Sequence, residues 1–506
     1  MKPILPRFFF FLISNVFLSG LLAGKEKPLN LLLITVDDMS CDSVGVFGSK
    51  LEGTTPVMDR LASQSLRFEY AHVTVGNCNP CRNVMFSGLI SHNNKVEGFY
   101  KVPEPGWPHM VDLLKDAGYY TGIHGKVTHS SPYQPYAWDE DLTISPSGKK
   151  ADIKDAKAYG ASTARGIAKA KGLGQPFFLS INISDPHKPF WSKVRGGGED
   201  PYIPSKIFTA DEVPVPGFLF DDPEVREELA LYYSSVRRAD DCLEAVLQAL
   251  KKSGEWDNTM LVFLSDHGMP LPFAKTQLYH HSTRTPLMVR IPGVTKAGKV
   301  DKQHMVSVLD LLPTVLDTLK IEKPTRLDGR SFYPILMGEK QEGWDFVIKQ
   351  YHENSGRSRD PMRAIQTKTH LYLFNPWSNG ERVFATATNG TVTCKRMIAL
   401  AEEDEEMNQR LELYRFRVPQ ELYQVKRDPD CLENLIDYST KSKEKRRLQK
   451  LLEDWMVRTG DPILECFQKR DDPEFVEAYV QKLEAEANAR RKTEKPPKKA
   501  KVKKKS

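Results

Sequence analysis

Cysteine is scarce in this sequence, which contains 7 cysteines among 506 residues. An odd number at this low density argues against a small disulfide-stapled scaffold and leaves any disulfide connectivity open. Internal repeats are also lacking, and no segment is typical of a nucleic-acid-binding module. With 40% hydrophobic residues, a chain of this length can bury a large core, so we expect one large domain and a smaller one.

Only one long apolar run is present, at residues 8–22. It is shorter than the ~20 apolar residues that a membrane span needs, and Ser14, Asn15 and Ser19 interrupt it. Basic residues precede the run and small residues follow it, which is typical of a secretory signal peptide over residues 1–24. We therefore expect a secreted or periplasmic protein, lysosomal if the host is eukaryotic, without stable membrane insertion. A retained membrane anchor is the competing interpretation.

The net charge of +6 is concentrated at the C-terminus. Residues 490–506 are rich in lysine and hold much of the excess, so the rest of the chain is close to neutral. Such a tail is typical of a solvated, disordered end, with a tether to polyanions as the alternative. We assign residues 466–506 to a helical, charged segment followed by this basic tail.

Short apolar runs at residues 29–36, 176–183, 259–264 and 286–291 predict buried parallel strands. Helical patterns lie between them, notably at 55–63 and 223–252. This alternation predicts an α/β fold with a doubly wound sheet, which we assign to a main domain at residues 25–345.

The pattern changes after residue 345. Shorter strand-like pieces occur at residues 370–374 and 382–387, and an acidic stretch at 402–409 favours a solvated helix or loop. Residues 346–465 therefore predict a smaller C-terminal α+β subdomain.

Acidic and histidine residues follow three of the predicted strands. Asp37 and Asp38 come after the first strand, residues 185–187 after the second, and Asp266 and His267 after the third. Ligands bind beyond the carboxyl ends of the strands in such sheets, so we expect these residues on one rim. Carboxylate pairs beside buried strands are costly unless they are compensated, and hard cations prefer carboxylate oxygens. The sequence therefore predicts a bound divalent cation at this rim.

The segment from Cys78 to Arg82, Cys-Asn-Pro-Cys-Arg, is the most informative motif. Two cysteines three residues apart also occur in zinc sites and redox pairs. A second cysteine pair is missing, however, and neither role needs the proline or the arginine. The segment resembles the sulfatase signature C-x-P-x-R, which continues with a hydrophobic residue and then Thr or Ser followed by Gly, here Ser87 and Gly88.

Further segments resemble the same family in order and approximate spacing, at residues 125–129, 185–190 and 272–275, with later motifs at 307–319 and 421–435. The resemblance covers residues 29–460. It implies an alkaline-phosphatase-like fold, a sulfated sugar substrate, and a formylglycine-generating enzyme that oxidises the first cysteine of the motif. It implies a Ca²⁺ site formed by Asp37, Asp38, Cys78, Asp266 and His267. The catalytic residues that it implies are Cys78, Arg82, Lys126, His129, His187 and Lys275.

The resemblance also implies a role for each catalytic residue. A hydrated aldehyde offers one hydroxyl to attack sulfur and a second to expel the product, which a thiol cannot easily do. Arg82 would orient this group, while Lys126 and Lys275 neutralise charge on the sulfate oxygens. His187 would protonate the leaving atom, with help from Lys275, and His129 would remove a proton from the second hydroxyl.

Within the family, residues 265–279 look most like the heparan N-sulfatase (sulfamidase) branch. The Asp-Pro-His segment points the same way, and Asp185 would then contact the substrate amine or a hydroxyl. A turn-forming aspartate before proline is the alternative. The spacing from Lys126 to His129 matches iduronate-2-sulfatase better, and His267 and Lys275 stand where sulfamidase has Asn and Arg.

Three other possibilities are left open. Cys81 stands where Ser is commoner, and a disulfide with Cys78 would compete with oxidation of that residue. A phosphodiesterase or phosphomonoesterase could use the same sheet, although such enzymes typically use a Ser or Thr nucleophile and two zinc ions. The chain could also be an inactive protein that binds sulfated glycans. Retention of Cys78, His129 and His187 disfavours this last interpretation.

Overall fold

The structure is a computed structural model that describes residues 27–134, 136–354 and 359–494. The predicted signal peptide and the end of the predicted basic tail lie outside these ranges. Across the described ranges, no helix combines the length and the apolar character needed to cross a membrane.

The described residues form one large sheet, one smaller sheet and a short hairpin. The strands are β1 Asn30–Asp37, β2 Leu66–His72, β3 Tyr120–His124, β4 Glu140–Asp141, β5 Phe177–Pro186, β6 Val194–Arg195, β7 Gly198–Glu199, β8 Thr259–Ser265, β9 Met288–Arg290, β10 Val300–Ser307, β11 Phe346–Glu353, β12 Arg359–Thr367, β13 Leu371–Phe374 and β14 Gln420–Tyr423.

The large sheet has the strand order β10-β2-β9-β8-β1-β5-β3-β4. Strand β1 lies inside it, parallel to both β5 and β8, and all eight of its residues are buried. A parallel strand that is covered on both faces is expected to be apolar along its whole length, as β1 is.

Strand β9 runs antiparallel to its neighbours β8 and β2. The prediction of a parallel strand at residues 286–291 is therefore wrong in direction. Antiparallel strands need no crossover helix, and the chain between β8 and β9 contains only one four-residue helix. The large sheet is accordingly mixed rather than fully parallel.

Helices surround the large sheet, and α5 and α6 pack against β5. The described helices are α1 Pro56–Ser63, α2 Cys78–Ser87, α3 Ser91–Asn94, α4 Met110–Asp116, α5 Ala156–Leu173, α6 Pro223–Lys252, α7 His280–Thr283, α8 Leu311–Leu319, α9 Tyr333–Leu336, α10 Val392–Leu400, α11 Glu405–Phe416, α12 Ser442–Thr459, α13 Leu464–Gln468 and α14 Pro473–Glu494. Helices α1 and α6 confirm the two helical patterns predicted from the sequence.

The smaller sheet is antiparallel, with the order β11-β12-β13-β14. Strand β13 confirms the strand predicted at residues 370–374, and the acidic stretch at 402–409 leads into the exposed first turns of α11. The strand predicted at 382–387 is wrong. These residues form a loop that packs through side chains, with the Phe384 ring stacked on Trp377 at 5.1 Å between centroids.

One continuous hydrophobic core includes residues of both sheets, from Leu31 in β1 to Leu373 in β13 and Leu422 in β14. The α/β fold class with a smaller C-terminal α+β part is thus confirmed. The domain boundaries proposed from the sequence stay a prediction, because the shared core draws no border between the two parts.

Candidate active site

The carboxyl ends of β1 and β8 meet at one rim of the large sheet. Val36 pairs with Ser265, which places the residues that follow the two strands side by side. The Asp266 amide donates to the Val36 carbonyl at 3.1 Å, and the Asp38 amide donates to Asp266 Oδ1 at 3.0 Å. Asp38 adopts a left-handed backbone conformation with a φ of 61°, and its side chain lies in the same cluster. The predicted convergence of the acidic pairs is therefore observed.

His267, Asp38 and Asp266 bring three potential metal ligands together. His267 Nδ1 donates to the Gly268 carbonyl at 3.0 Å, so Nε2 is the ring nitrogen that faces the carboxylates. Nε2 lies 3.2 Å from Asp38 Oδ1 and 3.8 Å from Asp266 Oδ1, and it has no hydrogen-bond partner. All three residues are buried, and their ligand atoms lie within 4.8 Å of one another. The donor set fits a hard divalent cation.

Electrostatics at this cluster also favour a cation. Burial alone would lower the pKa of His267, but the Asp266 and Asp38 carboxylates raise it to about 9. The negative potential that holds a proton there attracts a metal ion in the same way. Of the five predicted metal ligands, Asp38, Asp266 and His267 form this cluster, whereas Asp37 is directed at two cationic side chains and Cys78 lies beside His267.

Arg82 is fully buried and links four elements of the site. Its Nη2 donates to Asp37 Oδ1 and, at 3.1 Å, to Asp266 Oδ2. Its Nη1 donates to Thr35 Oγ1 at 2.9 Å and to Asn182 Oδ1 at 2.7 Å. The planar guanidinium can serve these acceptors at once, which a lysine ammonium could not do in the same geometry.

Two lysines complete the charge balance. Lys126 Nζ lies 2.7 Å from Asp37 Oδ2, and Lys275 Nζ lies 2.8 and 2.7 Å from the two oxygens of Asp38. Burial opposes a raised pKa for both lysines, but the neighbouring carboxylates raise it, so both stay charged. Three cationic side chains thus face three carboxylates at the rim. An added divalent cation would leave net positive charge that suits an anionic substrate.

Cys78 is the first residue of α2, where Asn77 caps the helix by accepting a hydrogen bond from the Cys78 amide at 3.1 Å. Burial alone would raise the pKa of the Cys78 thiol. The imidazoles of His129 and His267, which lie beside the sulfur, and the charges of Lys126 and Lys275 hold the pKa of the thiol well below its usual value. Position 78 therefore stabilises negative charge, as a site for an attacking oxygen should.

Cys81 lies in the same helix, and burial raises the pKa of its thiol. All seven cysteines of the chain are buried free thiols, so the structure contains no disulfide between Cys78 and Cys81. The pKa of the Cys78 thiol is lowered and the pKa of the Cys81 thiol is raised, although the two residues are separated by only one helical turn.

The two candidate acid–base histidines line a cavity of about 690 Å³ beside the cluster. His187 Nδ1 donates to the Lys188 carbonyl at 2.7 Å, which directs Nε2 to within 3.9 Å of Asp38 Oδ2. His129 sits on a short 3₁₀ turn and lies beside the Cys78 side chain, whose pKa it lowers. The cavity is also lined by Lys126, Tyr136, Trp138 and Lys188. Three of the six predicted catalytic residues, Lys126, His129 and His187, line this cavity. The other three, Cys78, Arg82 and Lys275, lie in the neighbouring charged cluster.

Asp185 lies at this rim and is fully buried, and it does not line the cavity. Lys154 donates to its Oδ1 at 2.6 Å, and Arg238 donates to its Oδ2 at 2.6 Å. The substrate-contact role predicted for Asp185 stays untested, and its observed partners fit a structural role better.

Sequence reasoning missed Lys154, Arg238 and the role of Asn182. Asn182 is buried in β5, where its amide donates to the Gly125 carbonyl at 3.0 Å and its Oδ1 accepts from Arg82. A lone amide inside an apolar strand was a signal that could have identified Asn182. Lys154 and Arg238 carry no such signal, because nothing near them in sequence resembles a motif.

Comparison with known families gives two matches. The family model described as Sulfatase matches residues 29–321, which is more than half of the chain. The model described as N-sulphoglucosamine sulphohydrolase, C-terminal, matches residues 266–379.

Two characterised relatives span most of the chain. Human N-sulphoglucosamine sulphohydrolase is 28% identical over 484 residues, covering 87% of this chain and 92% of the relative. Delta 4,5-hexuronate-2-O-sulfatase from Bacteroides thetaiotaomicron is 23% identical over 485 residues, covering 87% of this chain and 90% of the relative.

Solved structures show the same fold. A structure described as being in complex with its substrate D-glucosamine-2-N,6-O-disulfate superposes with a TM-score of 0.63 at 19% identity, covering 86% of this chain and 99% of the other. The phosphonate monoester hydrolase of Agrobacterium radiobacter gives a TM-score of 0.62 at 18% identity, covering 85% and 96%. The predicted alkaline-phosphatase-like fold is confirmed. Because one family model spans more than half of the sequence and includes the whole Cys78 motif, the chain belongs to the sulfatase family.

Proposed function

We propose that this chain hydrolyses sulfate from a sulfated sugar, with a specificity like that of heparan N-sulfatase. The observation that carries the proposal is the position of Cys78, which lies beside His129 and His267 and next to a buried cluster of three carboxylates and three cations. Such a site holds an anionic ester against a nucleophile and stabilises charge as it moves between oxygens.

Two groups would complete the site. Formylglycine, made from Cys78 by a formylglycine-generating enzyme, supplies as its hydrate one hydroxyl for attack on sulfur and a second for release of sulfate. Ca²⁺ held by Asp38, Asp266 and His267, with Asp37 and residue 78 as further ligands, supplies a positive charge that polarises oxygens. The residues present fit both groups, because the donor cluster and the electropositive position 78 already exist.

The cationic side chains bind and orient the sulfate. Lys126 pairs with Asp37 and Lys275 pairs with Asp38, and both ammonium groups can move from these carboxylates onto sulfate oxygens. Arg82 donates to Asp37 and Asp266 and lies in α2, the helix that begins at residue 78, so it fixes the position of that residue relative to the carboxylates.

The histidines move protons at defined atoms. Because His187 Nδ1 is committed to the Lys188 carbonyl, Nε2 is the atom that donates a proton to the departing oxygen or nitrogen. His129 lies at residue 78 and accepts the proton that must leave before sulfate is expelled.

Similarity supports the choice of substrate class. The human relative is named as a sulphohydrolase of N-sulphoglucosamine, and a structural neighbour is described with a disulfated glucosamine as substrate. We infer an exported enzyme of glycosaminoglycan degradation, acting in the extracellular space, the periplasm or the lysosome. An O-sulfatase of another polysaccharide is the second candidate, which the hexuronate-2-O-sulfatase relative favours.

The test is sulfate release from a matched panel. The chain would be co-expressed with a formylglycine-generating enzyme, supplied with Ca²⁺, and assayed on glucosamine N-sulfate and on O-sulfated sugars. Conversion of Cys78 would be checked by mass spectrometry, and Cys78→Ala is the control. Release from the N-sulfate alone supports the first candidate, and release only from O-sulfates supports the second.

Failure has a distinct signature. If Cys78 is converted and no sugar releases sulfate, the hydrolase proposal loses its support. Retained binding of the same sugars would then indicate a protein that binds sulfated glycans without cleaving them.

A further inference from the structure

A buried ionic network lies directly behind His187. Asp185 and Asp200 are its two carboxylates, and Lys154 and Arg238 are its two cations; all four side chains are almost completely buried. Arg238 donates to Asp185 through Nε at 2.6 Å and Nη2 at 3.2 Å, and to Asp200 through Nη1 at 3.0 Å. The charges of the network therefore balance without any substrate.

One member of this network also holds the backbone of His187. Lys154 Nζ donates to Asp185 Oδ1 at 2.6 Å and, with a second proton, to the His187 carbonyl at 2.8 Å. The His187 amide is held as well, because it donates to the Ser184 carbonyl at 3.0 Å. Both peptide groups that flank His187 are thus fixed from the protein interior.

This restraint reaches the imidazole through a short path. His187 Nδ1 donates to the carbonyl of the next residue, Lys188, at 2.7 Å. The carbonyl that Lys154 holds and the carbonyl that receives the imidazole proton belong to adjacent residues of one loop. Movement of this loop would rotate the ring and displace Nε2, which faces the cavity.

We propose that Lys154 is a positioning residue for the acid that protonates the leaving group. Asp185 and Arg238 hold the Lys154 ammonium in place, and Lys154 in turn fixes the loop that aims His187 Nε2. The inference rests on the proposed function, in which His187 donates that proton. It also gives Asp185 a purpose other than contact with substrate.

The first experiment uses Lys154→Met, which removes the ammonium but leaves Asp185 with its two hydrogen bonds from Arg238. Arg238 then faces both buried carboxylates without Lys154, so some loss of stability is expected. Lys154→Gln keeps an N–H donor that can reach the His187 carbonyl. Lys157→Met is the matched control, because Lys157 is an exposed lysine three residues away. Thermal unfolding of each variant checks that the fold is retained.

The readout is the dependence on the leaving group. A sugar sulfate or sulfamate needs a proton on its leaving atom, whereas 4-nitrophenyl sulfate releases a phenolate that does not. For Lys154→Met we expect kcat on the sugar substrate to fall roughly 30-fold, part of the 10²–10⁴ that general acid catalysis contributes. KM should change little, the loss on the aryl sulfate should be much smaller, and Lys154→Gln should recover most of kcat.

Three results would overturn the proposal. Equal losses on both substrates would indicate general damage, and unchanged kcat on the sugar would indicate a purely structural network. A crystal structure of Lys154→Met with the His187 ring unmoved would also refute it, whether or not the enzyme is active. Failure of the proposed function is a separate outcome, because the wild-type chain with converted Cys78 would then hydrolyse neither substrate.

Discussion

At the scale of single residues, Arg82 makes more contacts within the site than its place in the Cys78 motif would predict. It is completely buried, and it compensates Asp37 and Asp266 while also satisfying Thr35 and Asn182. Removing one partner from a buried ion pair leaves an uncompensated charge in a medium that solvates it poorly. Arg82 is therefore expected to govern stability and catalysis together.

Replacing Arg82 by Lys tests this role. The shorter, point-like ammonium keeps the charge but cannot serve two carboxylates, a hydroxyl and an amide at once. We expect a loss of about 2–4 kcal/mol in the free energy of unfolding, measured by urea denaturation. We also expect kcat/KM for the sugar substrate to fall by at least about 100-fold, which corresponds to about 3 kcal/mol.

The matched control is Arg60→Lys. Arg60 pairs with Glu244 on the surface, where the arginine side chain is 59% exposed. Such a pair contributes roughly 0–1 kcal/mol, so both stability and activity should stay close to wild type. Similar losses of stability and of kcat/KM for the two variants would contradict the role proposed for the buried contacts of Arg82.

The sequence allowed individual site residues to be placed together where they directly follow a predicted strand. Asp37, Asp38, Asp266 and His267 could be placed together because parallel strands end at one rim. Lys154 could not be found, because it lies in a loop before α5 and reaches the site only through the fold. A contact between Lys154 and the carbonyl of a residue 33 positions away has no local signal in sequence.

At the scale of elements, the C-terminal sheet holds the loop that carries Lys275. Glu421 in β14 accepts hydrogen bonds from Tyr279 at 2.8 Å, from Tyr423 at 2.6 Å and from Asn375 at 2.6 Å. It also pairs with Arg417, whose guanidinium lies over the Tyr279 ring. The smaller sheet therefore takes part in building the active site.

Substituting Glu421 by Gln should loosen this loop. The amide has no negative charge, so the Arg417 guanidinium loses its buried counter-charge. The amide NH₂ also replaces an acceptor oxygen and faces other donors, so some hydrogen bonds of the buried network are lost. We expect a loss of about 3–5 kcal/mol in the free energy of unfolding, and a fall in kcat as Lys275 shifts. Chemical denaturation and sulfate-release kinetics measure the two effects.

Glu433→Gln is the control for this substitution. Glu433 is exposed and accepts one hydrogen bond from Tyr438 at 3.0 Å. Its replacement should change neither quantity appreciably. If Glu421→Gln behaved like Glu433→Gln, the smaller sheet would not be what positions Lys275.

The direction of strand β9 could not be predicted from the sequence, although its burial could. The apolar run before Ile291 identified β9 as buried, but burial is the same for parallel and antiparallel strands inside a mixed sheet. Direction depends on how the chain returns, and no crossover helix intervenes between β8 and β9. Strand β2, Leu66–His72, was missed because charged residues interrupt its apolar pattern.

At the scale of the whole molecule, Lys349 links global stability to pH. It is fully buried in β11, where Nζ donates to Gln366 Oε1 at 2.6 Å and to the Leu278 carbonyl at 3.1 Å. Burial lowers the pKa of Lys349 to about 7. An unfolded lysine has a pKa of about 10.4, so between these values the unfolded chain binds a proton that the folded chain does not. The free energy of unfolding should therefore rise with pH in this window.

Lys349→Met isolates this contribution. The difference in unfolding free energy between wild type and variant should shift in favour of wild type as the pH rises from 7 to 10. The shift should be a few kcal/mol, and about 1.4 kcal/mol per pH unit at most. Below pH 7 the difference should stay constant. Denaturation at fixed pH steps provides the measurement, with the exposed Lys340→Met as control, and a difference that does not vary with pH would refute the assignment.

The last prediction concerns the cation, whose effect should extend to the entire fold because the site joins β1, β8 and α2 within one core. A ligand that binds only the folded state adds RT ln(1 + [L]/Kd), or about 4 kcal/mol at a thousandfold excess over Kd. Adding Ca²⁺ to chelator-treated protein should therefore raise Tm by roughly 4 °C, because the unfolding entropy of a chain of this length is about 1 kcal/mol per kelvin. Asp38→Asn should abolish this rise, since it removes a carboxylate of the cluster.

The control is Asp257→Asn, at a side chain that is 87% exposed, which should retain the rise in Tm. If Ca²⁺ did not change the Tm of the wild-type chain, the chain would not bind the cation. If Tm still rose in Asp38→Asn, the cation would bind at a different site.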